Sequence, residues 1–111
     1  MGYRSDFRLA SNHADEVKQR ILAWLETQND DLKFYLKNLF EDEYVYESKW
    51  YDHTDDMVEL SKAFPDEQFI VEVQGEEHDD MWCSYSWHGE CRIVHASIVW
   101  PKDPFEEEAD E

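Results

Sequence analysis

Hydrophobic and polar positions alternate at the start of the chain, where Tyr3, Phe7 and Leu9 fall on one side of a half-buried strand. The period then lengthens. Val17, Ile21, Trp24 and Leu25 recur at helical spacing after Ser11 or Asn12, either of which can cap a helix. Asn29-Asp30-Asp31 ends that helix and caps a second, in which Leu32, Tyr35, Leu36 and Leu39 share a face. From Glu43 to Tyr51 the period returns to two, with aromatic residues on both sides. Thr54 reads as the cap of a third helix with Met57, Leu60 and Phe64 as its apolar stripe, stopped by Pro65. Three strands follow. Gln68–Gln74 points Phe69, Val71 and Val73 one way, and Met81–Trp87 gathers Met81, Cys83, Tyr85 and Trp87 into an apolar face. Across the short turn His88-Gly89-Glu90, Cys91–Trp100 does the same with Val94, Ala96, Ile98 and Trp100.

Early helices and late hairpins predict an α+β fold, a mainly antiparallel sheet with helices on one face. A ferredoxin-like arrangement with an added strand is the topology this order suggests. Residues 1–102 are expected to form one domain, and 103–111 an acidic, disordered tail.

Composition changes the picture through charge. The chain has 28 acidic residues against 10 basic ones, a formal net charge of −18. Residues 1–40 carry six of each, so the whole excess lies between 41 and 111. Self-repulsion of that size opposes compaction, so a functional reason for the acidic surface is one reading, and solubility of an aromatic-rich chain is the other. It also argues against direct binding to nucleic acid or anionic lipid. No apolar run is long enough to span a bilayer and no signal peptide is evident, which points to the cytoplasm. Cys83 and Cys91 are then expected to stay as thiols.

Candidate chemistry is thin. The two cysteines and His78, His88 and His95 lack the paired spacing of a zinc site, and Asp52-His53-Thr54-Asp55-Asp56 lacks the glycine and spacing of an EF-hand loop. With no phosphate-binding glycine loop and no nucleophile motif, we expect no catalytic residues, no metal and no cofactor.

Three segments bring a resemblance. Met1-Gly2-Tyr3-Arg4-Ser5-Asp6, Lys49-Trp50-Tyr51-Asp52 and Gly75-Glu76-Glu77-His78-Asp79-Asp80 are similar to segments of a group of small, acidic phage and prophage proteins. The resemblance spans about residues 1–6 and 47–82. It implies a phage origin, hence the cytoplasm of a host cell, and an α+β fold, and carries no activity.

Charge density supplies the functional expectation. B-DNA carries about one charge per 1.7 Å, so a charge of −18 matches roughly 30 Å of duplex, close to the diameter of a domain of this length. The chain is therefore expected to act as an inhibitor of anti-CRISPR or anti-restriction type. It would mimic DNA and sterically block a basic host nucleic-acid-binding protein or nuclease complex. The contact residues would be Asp52, Asp55, Asp56 and Glu59 on one element and Glu76, Glu77, Asp79 and Asp80 on another, with Trp82 either as an aromatic anchor or packed under the tail or a helix. The alternative is a non-enzymatic interaction module with an apolar, aromatic interface, including self-association as a homodimer. For each acidic group, a merely solvated helix start or loop is the competing reading.

Overall fold

The computed structural model describes residues 4–77 and 80–96. Five strands, β1 (Ser5–Leu9), β2 (Tyr44–Ser48), β3 (Phe69–Gln74), β4 (Met81–Trp87) and β5 (Glu90–His95), form one sheet in the order β2-β1-β3-β4-β5. Every neighbouring pair is antiparallel. Helices α1 (Asp15–Leu25) and α2 (Asp30–Asp42) lie between β1 and β2, and α3 (His53–Ala63) between β2 and β3. The fold is α+β, as expected. Its element order, βααβαβββ, does not confirm the ferredoxin-like refinement, whose order is β-α-β-β-α-β. The expected acidic tail lies outside the described residues, as does the end of the last expected strand.

Residues directly opposite one another in a sheet share a face. One row across all five strands, Val45, Phe7, Val73, Trp82 and His95, looks toward the helices. The neighbouring row, Tyr44, Arg8, Glu72, Cys83 and Val94, looks away from them. The first face buries Phe7, Leu9, Val45, Phe69, Val71 and Val73 against Ile21 and Leu25 of α1, Leu36, Leu39 and Phe40 of α2, and Met57 and Leu60 of α3. Apolar area removed from water is worth about 25 cal/mol per Å2, so this layer supplies the driving force for folding.

Four local expectations are corrected. Ser11 and Asn12 do not cap α1: its N-cap is Ala14, without a side-chain bond, and the Ser11 hydroxyl instead accepts from the Ile70 amide at 3.0 Å. Thr54 lies inside α3, whose N-cap is Asp52. Strand β2 stops at Ser48, and within it Glu47 adopts φ 42° as a bulge that shifts the register against β1. That extra residue turns Val45 and Ser48, three positions apart, both inward.

The fourth correction is the largest. The apolar face of β4 is the open one. Met81, Tyr85 and Trp87 are exposed, whereas Ser84 and Ser86 are buried on the core face. Helix α3 lies over β4 and β5 at this point. His53 Nε2 meets the Ser84 hydroxyl at 2.8 Å, and the Ser61 hydroxyl accepts from the Gly89 amide at 2.9 Å. Small residues let the helix approach closely enough to make these bonds; larger ones would overpack the contact. Gly89, at φ 80° in a two-residue hairpin with His88 at φ 51°, has Lys62 Cγ only 3.1 Å from where a Cβ would stand.

The expected Asn29 cap is present, its side chain accepting from the Leu32 amide at 2.9 Å. Cys83 and Cys91 lie on opposite faces of the sheet and are free thiols. No helix among the described residues is long and apolar enough to cross a membrane.

Candidate functional site

The carboxylates from sequence fall into two groups at one end of the sheet, where β2 and β3 finish and β4 begins. The first is built by two helix starts. Helix α2 begins with Asp30-Asp31, and α3 follows Asp52 with Asp55 and Asp56 in its first turn, positions that the helix dipole favours for anions. The two starts adjoin: Asn29, Asp31, Asp52, Asp55, Asp56 and Glu59 line one concavity of about 440 Å3. Among the described residues Asp52, Asp55 and Asp56 form no ion pair with Lys or Arg; Glu59 does, with Lys62 at 3.4 Å.

Asp56 registers this crowding. Burial raises its carboxyl above the usual range, and the charges of Asp52, Asp55 and Asp31 raise it further, against the lowering effect of the bond from Trp50. That bond runs from indole Nε1 to Oδ2 at 2.7 Å, so Asp56 also holds Trp50 in place. Asp52 and Asp55 have no such structural duty. They are exposed carboxylates held on a rigid helix start.

The second group is more dispersed. Glu76 accepts from the Arg4 amide at 2.8 Å and shares a cleft with Arg4, Asp6 and Glu47. Glu77 and Asp80 belong to the same β3–β4 turn; Asp80 turns toward α3, and Asp79 lies outside the described residues. Other acids of the excess are matched by bases from the N-terminal segment: Glu43 with Lys18 at 2.9 Å, and Glu72 with Arg8. Those pairs are exposed and contribute little to stability, but they lower the local field. Among the described residues the concentrated negative region is therefore the joint start of α2 and α3.

Trp82 does not project as an anchor. It is half-buried on the helix-covered face, edge-on to Phe7 at 6.3 Å and near His53 at 5.5 Å. With Trp50 and Tyr51 these residues wall a cavity of about 360 Å3 between the end of the sheet and the start of α3. His53, 2% exposed, was not singled out as a site residue from sequence. The signal was there: His53, Met57, Leu60 and Phe64 form a single helical stripe, which places the imidazole on the core side. Desolvation lowers its pKa to about 4, so at neutral pH the ring is uncharged.

The described residues contain no group of three or more His, Cys, Asp or Glu side chains that could hold a metal. No protein-family model matches the chain, and neither a curated protein nor a solved structure matches it.

Proposed function

We propose that this chain is a non-enzymatic binding protein that docks its acidic end on a basic, nucleic-acid-handling partner and blocks it. The observation that carries this reading is the crowding of Asp31, Asp52, Asp55 and Asp56 at two adjoining helix starts. Carboxylates fixed on helices cost little ordering entropy on binding, and a concentrated field steers association. Comparable charge density to a duplex suits a channel lined by Lys and Arg, which is the logic of a DNA mimic. The resemblance to acidic phage proteins suggests a host defence nuclease, of the CRISPR or restriction kind, as the partner, met in the host cytoplasm.

The test is capture from a bacterial host lysate at low and high salt. A basic nucleic-acid-binding protein retained at low salt and released at high salt supports the reading; retention that is flat with salt contradicts it.

A second reading has its own observation. The open sheet face carries Tyr46, Tyr85, Trp87 and Val94, with Trp87 52% and Val94 55% exposed. Its charges are locally balanced, Arg8 with Glu72 and Arg92 with Glu90. Such a face suits an apolar, salt-insensitive interface, including one with a second copy. Analytical ultracentrifugation with Trp87→Ala as the variant separates this from the acidic-end reading.

A further inference from the structure

We propose that the open sheet face is where a second copy of this chain docks, giving a face-to-face dimer with its helices on the outside. This deepens the second reading above and rests on it, by naming the partner and the packing.

Five of the eight large apolar side chains exposed among the described residues stand on this one face: Tyr46, Met81, Tyr85, Trp87 and Val94. Exposure concentrated in this way, and not scattered singly, marks an interaction surface. No helix of the described residues packs there. Helix α2 meets β1 and β2, and α3 meets β4 and β5, all from the covered side. Five strands at about 4.8 Å spacing and about 20 Å in length give a face of roughly 480 Å2 in projection. Side chains standing off the sheet raise its accessible area toward the roughly 800 Å2 per partner that stable pairs bury.

Charge selects the occupant. The chain carries −18, yet on this face Arg8 is paired with Glu72 and Arg92 with Glu90 at 3.1 Å. A third acid, Asp6, accepts from the Glu47 amide at 2.7 Å. A basic partner is drawn to the acidic end instead, and an acidic one meets bases that are already paired. A second copy fits both conditions. The face holds the two halves of a stacked contact, the exposed guanidiniums of Arg8 and Arg92 and the exposed rings of Tyr46, Tyr85 and Trp87. Across a two-fold axis each copy offers guanidiniums to the other's rings, the self-complementarity that an isologous interface requires. The starts of α2 and α3 belong to the helix layer and stay free.

Each copy also brings its whole charge, so repulsion between the two bodies opposes pairing and salt relieves it. The dimer is therefore expected to strengthen with salt, the opposite of a contact made by the acidic end.

The test follows the full chain by analytical ultracentrifugation over about a hundred-fold range of concentration, at low and at high salt. The mass is expected to rise from one chain toward two, and to do so at lower concentration in high salt. Trp87→Asp is expected to weaken pairing about ten-fold or more, while Phe34→Asp, the same charge change at an exposed ring of α2, leaves it within about two-fold. The cysteines report the face, because Cys83 lies on the open side and Cys91 on the covered side. Iodoacetamide labelling of Cys83 is expected to slow as concentration rises, and that of Cys91 to stay constant. A monomer under all conditions overturns the proposal, as does pairing that Trp87→Asp leaves intact or Cys83 labelling that ignores concentration. Cys83 protected in a chain that stays monomeric assigns the face to another part of the same chain, and also overturns it. A monomer that holds a salt-insensitive partner through Trp87 leaves the second reading standing, so the two fall separately.

Discussion

The two faces of the sheet are made by the same five strands and behave as opposites. The helix-covered face holds Phe69 and Val71 with no exposed surface, and alongside them Ser84 and Ser86, also fully buried. The open face holds Met81, Tyr85, Trp87 and Val94 in water. Hydrophobicity alone would turn β4 the other way. What decides its orientation is the approach of α3, which needs small residues beneath it and places His53 and Ser61 in hydrogen-bonding reach of β4 and its turn. A strand's apolar side is thus not always its buried side; the neighbour's distance chooses.

That contrast can be broken most strongly by matched truncations. Phe69→Ala, on the covered face, is expected to cost about 3–5 kcal/mol of unfolding free energy, while Trp87→Ala on the open face costs under about 1 kcal/mol. Urea unfolding of both measures the difference, and similar losses would show that the open face is covered in solution.

The next effect is on pH. His53 has its pKa lowered to about 4 in the fold against 6.5 in the unfolded chain, so the unfolded state binds more protons between those values. Its contribution is fully present above pH 6.5, declines as pH falls, and is lost below about 4, an amount of roughly 3 kcal/mol. Thermal unfolding across pH 7 to 4 checks this, with His53→Phe expected to flatten that part of the profile. A smaller change comes from Ser84→Val, which overpacks the α3 contact and removes the partner of His53, costing about 1–3 kcal/mol by the same urea assay.

Much of this fold was legible in the chain. The stripes of α1 and α2, the Asn29 cap, and the alternation of β3 each state their element and their inward side, because several residues agree. The misses have single causes. Glu47 carries the bulge of β2 at positive φ without a glycine to mark it, so the parity change that buries Ser48 was hidden. Alternation in β4 revealed two faces but not which one the helices would cover. In the site, the crowding of Asp52, Asp55 and Asp56 could be read from their spacing, whereas its joining to Asp31 is a tertiary fact. Trp82 was assigned the correct parity, and whether it would project or pack under a helix was open for the same reason as for its strand; it lies half-buried on the helix-covered face.

The central functional claim is that position, and not total charge, makes the acidic end a binding surface. The direct measurement compares two double variants with the same charge change, Asp52→Lys/Asp55→Lys at the start of α3 and Asp15→Lys/Glu16→Lys at the start of α1, for retention of the low-salt partner from host lysate. Loss of the partner with the first variant and retention with the second is the predicted result. Equal retention, or equal loss, by both variants would contradict the account.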